Sequence, residues 1–255
     1  MAAYGSISPN RDKNGSPLPT TRWTARDKVT GSPIPIDLYH LTLETALKSP
    51  GLLDYLHSVF ARIVEEGRTY PMEVAEGEKY SRQAFESYFF AADVIVGVLA
   101  GEGNGDGPMS ANHQDEVEIV SGAETPFGQL GPSKDDKPLV WEDAIVGFYY
   151  IKPNYPGRSS HICNAGFIVL PNHWNKGYGR ALAKSYLYYG PKLGYRGSVF
   201  NLVYVNNVAS VRLWEALGFT KAGLIPNAGR LKKEGGGEEY VDAIVFYKSF
   251  VEDEN

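Results

Sequence analysis

The chain has 255 residues, of which 43% are hydrophobic and 22% charged, so it has enough apolar material for one large folded domain. Its net charge of −5 argues against nucleic acid as the main ligand, because phosphate binding requires a basic surface. The only cysteine, Cys163, excludes an internal disulfide framework and fits a reducing compartment.

The first 35 residues are rich in Pro, Ser, Gly and basic residues and show little periodicity. We therefore predict a flexible N-terminal arm over 1–35 and a single domain over 36–255. The N-terminus has no apolar signal core, and no apolar run reaches the roughly 18 residues of a membrane span. We expect a cytoplasmic protein that binds no membrane, and the sequence does not exclude a nuclear or mitochondrial location.

The first part of the predicted domain alternates strands and helices. A periodicity of two predicts a first strand, and Leu52, Leu56, Val59, Phe60 and Ile63 form one apolar helical face, which predicts a helix. The predicted elements are a strand over 36–46, a helix over 52–67, a helix over 80–90 and a strand over 92–101.

Residues 102–138 shift in composition to Gly, Pro, Asp, Glu and Ser. This segment is too polar for a core element and too long for an ordinary connection. We predict a mobile acidic surface insertion, which is either a solvated loop or a lid.

The second half of the chain is more regular. Its pattern predicts strands over 139–151, 160–170, 197–205, 219–225 and 239–250, and helices over 179–189 and 207–218. Strands that precede and follow helices indicate an α/β (α+β) class with a mixed sheet.

The stretch HWNKGYGRALAKSYL, residues 173–187, places Gly177 and Gly179 between a strand and a helix. Glycine allows positive φ and close approach of a ligand to the backbone, and the free N–H groups of a helix start attract anions. The spacing matches neither the dinucleotide fingerprint nor the triphosphatase loop. Taken alone, the stretch predicts either a pyrophosphate site or a tight turn.

A second motif, NVASVRLWEALGF over 207–219, follows about thirty residues later. Asn207 is a good helix N-cap and Gly218 a good residue for the helix end. Together, V-x-P-x-x-W-x-K-G-x-G-R-A-L and N-x-x-S-x-x-L-W-E-x-L-G-F resemble the GNAT superfamily of N-acetyltransferases over about residues 140–250. The resemblance implies a mostly antiparallel central sheet with splayed central strands, helices on both faces, and acetyl-CoA (coenzyme A) as cofactor.

The resemblance also implies roles for individual residues in holding coenzyme A. Phe167, Ile168 and Val169 would face the pantetheine arm, and Asn207 would lie beside it. The pyrophosphate would be held mainly by backbone N–H groups of the loop residues Asn175, Lys176, Gly177, Tyr178, Gly179 and Arg180. Lys176 and Arg180 would add positive charge.

The chain departs from the family pattern in three places. Trp174 stands where many members have Arg or Gln, and Asn175 stands where many have Gly. Tryptophan does occur at the first of these positions in some branches of the family. Trp214 stands where many members carry a tyrosine that donates a proton to the leaving thiolate. An indole N–H is not an acid, so Tyr204 or a water molecule would serve, or the thiolate would leave unprotonated.

A narrower resemblance links residues 155–231 to the fungal acetyltransferases that detoxify proline analogues such as azetidine-2-carboxylate. It implies that Asn164 and Asn201 form the catalytic and substrate-binding site. A carboxamide can bind a substrate carboxylate and orient the amine, but it cannot act as a base. The base would be a water chain that is polarised by Asn201 or by a nearby carboxylate. His161 is the alternative base. Alternatively, Asn164 would only stabilise a strand bulge.

We therefore expect an acetyl-CoA-dependent N-acetyltransferase that acts on a small amino or imino acid and needs no metal. The alternatives are acetylation of a protein lysine or N-terminus, including histones, and a non-catalytic acyl-CoA sensor. A homodimer is expected because last strands such as YVDAIVFYKSF are shared between subunits in some members of the family.

Overall fold

The computed structural model describes residues 17–75, 77–100, 118–119 and 140–251. Its strands are β1 (Thr21–Arg26), β2 (Pro33–Leu41), β3 (Asp93–Leu99), β4 (Glu118–Ile119), β5 (Ile145–Pro153), β6 (Ile162–Val169), β7 (Gly197–Tyr204), β8 (Thr220–Lys232) and β9 (Glu238–Ser249). Its helices are α1 (Leu43–Leu47), α2 (Leu52–Glu66), α3 (Arg82–Phe89), α4 (Trp141–Ala144), α5 (Tyr178–Lys192) and α6 (Val208–Ala216).

The described strands form one sheet in the order β4-β1-β2-β3-β5-β6-β7-β9-β8. Neighbouring strands are antiparallel except for β6 and β7, which are parallel. The predicted mixed, mostly antiparallel sheet is confirmed.

The parallel pair diverges almost at once. Strands β6 and β7 are paired only at Ile162–Gly197 and Cys163–Ser198, although each strand continues for six more residues. Beyond these two pairs the facing edges of the strands are separate. The predicted splay of the central strands is confirmed, and it opens a cleft in the middle of the sheet.

Helices cover both faces of the sheet, as predicted. On one face α5 and α6 pack against a core that includes Tyr149, Tyr186, Phe200 and Trp214. On the other face α2 and α3 enclose a second core around Phe60. The predicted apolar face of α2 is confirmed, since Leu52, Leu56, Val59 and Phe60 are buried, with Ile63 partly buried at its margin.

The prediction of an arm over residues 1–35 is wrong for residues 21–35. Thr21–Arg26 forms β1, which pairs with β2, and Trp23 and Ala25 are buried against the core below α5. The strand is short and lies between Pro-rich segments, so its local pattern is weak. It becomes a strand because β2 offers a free edge and α5 offers an apolar surface. Residues 1–16 lie outside the described residues.

Other boundaries also differ from the prediction. Residues 141–144 are helical rather than extended, and β8 continues to Lys232 instead of ending at Ile225. Strand β8 is outermost among the described strands, and an outermost strand tolerates Pro226 because its N–H can face away from the sheet. The predicted mobile insertion lies outside the described residues, except that Glu118–Ile119 pairs with β1.

We predict that the Asp37→Asn substitution will destabilise the domain by about 3 kcal/mol, because it removes the negative charge that faces the buried Arg22 guanidinium. Arg22 on β1 binds Asp37 on β2 through two hydrogen bonds of 2.7 and 2.8 Å, and both residues are buried. Urea unfolding measures the loss. The exposed pair Lys48–Glu44 supplies the control, and Glu44→Gln should change stability by no more than about 0.5 kcal/mol. Equal effects would show that β1 is not an integral strand.

Candidate active site

The open edge of β6 provides free backbone groups along the cleft. Asn154 N–H donates to the Ile162 carbonyl at 2.8 Å, so Ile162 and every second residue after it bond towards β5. The backbone N–H and C=O groups of Ala165, Phe167 and Val169 therefore point towards the cleft, because the direction of these groups alternates along a strand. The Val169 carbonyl is taken by the Trp174 indole N–H at 2.8 Å, which leaves Ala165 and Phe167 to bind a ligand.

The glycine-rich loop leads from the end of β6 into α5. Asn175 (φ 62°) and Gly177 (φ 77°) are both left-handed, and Gly177 is the N-cap of α5. In the described part of the chain, the N–H groups of Tyr178 and Gly179 have no acceptor. Free N–H groups at the start of a 15-residue helix form an anion site.

Gly177 has a second role, which sequence reasoning missed. A Cβ at this position would overlap the carbonyl oxygen of Arg26 and lie 2.9 Å from its nitrogen. Next to this contact, Lys28 N–H donates to the Asn175 carbonyl at 3.3 Å. The turn between β1 and β2 therefore packs directly on the loop, and Gly177 is required for that packing.

Gly179 differs from Gly177 in its surroundings. A Cβ there would meet only Val169 Cγ2, at an ordinary distance of 3.6 Å. The protein alone gives no packing reason for glycine in the first turn of α5. Close approach of a ligand to the helix N-terminus would account for it.

The other predicted coenzyme residues occupy mixed environments. The side chain of Phe167 stacks on Tyr149 with centroids 4.6 Å apart, and Ile168 is buried on the opposite face. Side chains in this part of β6 thus face the cores, and only the backbone reaches the cleft. Asn207 caps α6, and its side-chain oxygen accepts a hydrogen bond from Ser210 N–H at 3.2 Å. Lys176 is half-buried and Arg180 is exposed.

Three asparagines meet at the closed end of the cleft. The side-chain oxygen of Asn154 accepts from the amide of Asn164 at 2.7 Å and from the amide of Asn201 at 2.6 Å. Asn154 is 4% exposed and donates back to Asn201 at 3.2 Å. The structure thus brings together Asn164 and Asn201, and it adds Asn154, whose position after β5 had no signal in the sequence.

The interpretation of Asn164 as a bulge residue is wrong. Pairing of β5 with β6 is unbroken from Gly147–Val169 to Pro153–Cys163. The bulge lies in β7 between Phe200 and Val203, where it contains Asn201. A bulge re-aims side chains, which is how Asn201 reaches Asn154.

Trp214 is a core residue. It is 4% exposed, packs on Phe200 at 4.4 Å between ring centroids, and donates to Ser210 Oγ at 3.0 Å. Its indole is therefore fully used in packing and in one hydrogen bond. His161, considered from the sequence as a base, bonds at the surface to the Arg158 carbonyl.

A wall of tyrosines lies beside the asparagines, on the face covered by α2 and α3. The hydroxyls of Tyr88 and Tyr150 are 2.9 Å apart, and Lys152 Nζ lies 3.5 Å from the Tyr88 ring centroid and donates to the Tyr88 carbonyl at 2.7 Å. Burial lowers the pKa of Lys152 to about 7. Tyr70 also lies here, and burial raises its pKa well above the ordinary value.

A pocket of about 200 Å³ opens between the segment after α2 and the last part of β8. Its lining includes Tyr70, Met72, Tyr204, Gly229 and Leu231. The Tyr70 hydroxyl joins the pocket to β6, because a Cβ at Gly166 would overlap that hydroxyl. The pocket and the cleft are therefore adjacent.

Comparison with known proteins identifies the family. The chain is 41% identical to N-acetyltransferase aca1 of Schizosaccharomyces pombe over 187 residues, which cover 73% of this chain and 75% of that protein. The family model described as Acetyltransferase (GNAT) family matches residues 111–219. The chain belongs to the GNAT family. It is also 31% identical to Protein SPT10 of Saccharomyces cerevisiae over 210 residues, 78% of this chain but 31% of that protein.

Solved GNAT structures share this fold at low sequence identity. A GCN5-related N-acetyltransferase from Kribbella flavida has a TM-score of 0.54 and 20% identity, covering 84% of this chain and 97% of its own. The acetyltransferase yncA from Salmonella typhimurium, solved with acetyl-CoA, has a TM-score of 0.53 and 15% identity, with 86% and 96% coverage. This GNAT protein is thus an N-acetyltransferase that uses acetyl-CoA.

The residues present fit coenzyme A. The free N–H groups of Tyr178 and Gly179 suit a pyrophosphate, and the open edge at Ala165 and Phe167 suits the amide-bearing pantetheine arm. When bound, acetyl-CoA supplies an acetyl group activated as a thioester. No helix among the described residues is long and apolar enough to cross a bilayer.

We predict that Gly179→Val will weaken coenzyme A binding at least tenfold with little loss of stability, because the protein leaves room for the side chain and a coenzyme bound at this helix start would meet it. Gly177→Ala will instead lower the melting temperature, because the added methyl group clashes with the Arg26 backbone and alanine disfavours the positive φ of this position. Calorimetric titration with coenzyme A and thermal unfolding measure the two effects. Wild-type affinity in the Gly179 variant would contradict the assignment of the pyrophosphate to this helix start.

We predict that Lys152 makes stability depend on pH between about 7 and 10.5. Its pKa of about 7 in the folded protein lies below the 10.5 of an ordinary lysine, so the unfolded chain binds the extra proton in this range and stability rises with pH. Relative to Lys152→Met, the free energy of unfolding of the wild type should rise by up to about 1.4 kcal/mol per pH unit. Urea unfolding at pH 7, 8 and 9 measures the difference, with the exposed Lys79→Met as control. A difference independent of pH would contradict the prediction.

Proposed function

We propose that the protein N-acetylates a small amino or imino acid, such as a proline analogue of the azetidine-2-carboxylate type. The observation that carries the proposal is the small pocket of about 200 Å³, called here the acceptor pocket because it would hold the acetyl acceptor. Its lining residue Tyr70 reaches β6 at Gly166, two residues from Asn164. A pocket of this size suits a compact metabolite, whereas a peptide requires an extended groove.

The walls of the pocket are tied together. Lys232 N–H of β8 donates to the Gly67 carbonyl at 3.0 Å, at the end of α2. Arg230 binds both carboxylate oxygens of Glu73 at 2.8 and 3.0 Å and lies 3.4 Å from Glu238. These links join β8 to the segment after α2, so an extended chain would have to break them. They favour a small acceptor over a protein lysine or N-terminus.

The asparagines at the closed end of the cleft can hold an amine but cannot deprotonate it. Asn164 and Asn201 are carboxamides, fixed in direction by Asn154, and they orient polar groups of the acceptor. The free N–H groups on the β6 edge can stabilise negative charge that develops on a carbonyl oxygen. Trp214 is enclosed and cannot donate a proton, so water would carry the protons.

Two further parts of the proposal are the location and the assembly. The single cysteine supports a reducing compartment such as the cytoplasm. Strand β8 is outermost in the described sheet and exposes Leu224 (58%) and Ile225 (41%), which supports a homodimer formed through this edge. Sedimentation of a Leu224→Lys variant as a monomer, with wild type as a dimer, would bear this out.

We predict that the purified protein with acetyl-CoA releases free thiol when azetidine-2-carboxylate is added, and that Asn201→Ala lowers this turnover at least tenfold without changing coenzyme A affinity. The loss is expected because Asn201 lies at the acceptor end of the cleft. Thiol release and calorimetry measure the two quantities. Turnover of a histone-tail peptide but of no amino or imino acid would reverse the order of substrates, and coenzyme A binding without any turnover would favour a sensor.

A further inference from the structure

Three buried polar atoms at or near the acceptor pocket lack a hydrogen-bond partner within the described residues. They are the hydroxyls of Tyr70 and Tyr204, which line the pocket, and the side-chain oxygen of Asn164, two residues along β6 from the Tyr70 contact at Gly166. A buried polar group without a partner costs free energy, so native proteins rarely retain one without a functional reason. A ligand in the pocket would supply the missing partners.

The placement of the Tyr70 hydroxyl depends on glycine. A Cβ at Gly166 would overlap this hydroxyl and lie 2.6 Å from the Tyr150 ring, so only glycine lets Tyr70 reach β6. Tyr204 depends on glycine in the same way, since a Cβ at Gly229 would lie 2.7 Å from its hydroxyl. Both tyrosines line the pocket, and both hydroxyls are therefore held close to a strand backbone.

The three atoms differ in what they can bind. The amide nitrogen of Asn164 is already used by Asn154, so its free oxygen is an acceptor and suits an amine N–H. Burial raises the pKa of Tyr70 and of Tyr204, so both hydroxyls stay protonated at neutral pH and can donate. Two donors beside one acceptor match a molecule that carries a carboxylate and an amine.

The distances fit a small molecule. Asn164 and Gly166 point to the same face of β6 and are about 6.6 Å apart along the strand. An α-amino or α-imino acid spans such a gap when its nitrogen bonds at one end and its carboxylate at the other. The nitrogen then lies on the β6 side and the carboxylate lies towards the pocket.

We propose that the hydroxyls of Tyr70 and Tyr204 bind the carboxylate of an α-amino or α-imino acid, while the side-chain oxygen of Asn164 binds its amine. This assignment rests on the proposed function and specifies its substrate class. It also changes the role expected of Asn164 from the sequence, because the carboxylate is bound by tyrosine rather than by the carboxamide.

The Tyr70→Phe substitution tests the assignment. It removes only the hydroxyl, which has no protein partner in the described structure, so the melting temperature should not fall. The kcat/KM for azetidine-2-carboxylate should fall roughly 10- to 100-fold, mainly through KM, as expected for a lost hydrogen bond to a charged group. For azetidine, which lacks the carboxylate, kcat/KM should change less than threefold. Coenzyme A affinity measured by calorimetry should stay at the wild-type value.

Two further variants complete the design. Tyr204→Phe should show the same selective loss for the carboxylate substrate. Tyr80→Phe removes a hydroxyl from the same aromatic cluster around Phe60 but does not line the pocket, so it should leave both substrates unaffected.

The outcomes separate this assignment from the proposed function. If the wild type acetylates azetidine-2-carboxylate and Tyr70→Phe does so equally well, the tyrosine assignment is overturned and the proposed function stands. An equal loss of kcat/KM for azetidine and for azetidine-2-carboxylate would also overturn the assignment, since the hydroxyl would then not bind the carboxylate. If the wild type acetylates peptides but no amino or imino acid, both are overturned.

Discussion

The parting of β6 from β7 after two residue pairs is the constraint on which the site depends. Separating two strands in the middle of a sheet leaves N–H and C=O groups without partners, at a cost of about 1–3 kcal/mol for each group that stays buried and unsatisfied. The protein satisfies one of these groups itself, through the Trp174 indole on the Val169 carbonyl. The groups left open are those that a strand-like ligand could use, which is why we propose this break in the sheet as the binding site of the pantetheine arm.

The rest of the molecule keeps this defect in place. On one face an aromatic core with Phe167, Phe200 and Trp214 fills the space between the diverging strands. At the closed end, Asn154 joins β5 to both strands through its side chain. Because apolar packing fills the space on one face and the hydrogen bonds of Asn154 tie the strands at the closed end, the cleft does not collapse into a regular ladder.

Glycines set the approach of one element to another around the cleft. Gly177 allows the turn after β1 to pack on the coenzyme loop, and Gly166 and Gly229 admit the hydroxyls of Tyr70 and Tyr204. Gly179 has no such neighbour. Within one loop, therefore, protein packing requires glycine at position 177 but not at position 179, and only the position of the neighbouring strand β1 tells the two apart.

The sequence by itself determined the family and the mixed sheet with its helices on both faces, because these depend on local signals, and it predicted the glycine loop as the coenzyme site. Glycine spacing, helix caps such as Asn207 and the apolar face of α2 are encoded within a few residues of one another. Asn164 and Asn201 were expected in one site through the family resemblance; the structure brings both against Asn154, and their role in the reaction stays a prediction. The glycine spacing, the helix caps and the apolar face require no knowledge of a distant part of the chain.

Only the tertiary structure decided the role of β1, of Asn154 and of Tyr70. Each is defined by a partner far away in sequence: β1 by Asp37 and α5, Asn154 by Asn201, and Tyr70 by Gly166. A short strand or an isolated residue of this kind carries no periodicity of its own. Their burial and their hydrogen bonds exist only after the sheet has formed, which is why the sequence pattern could not reveal them.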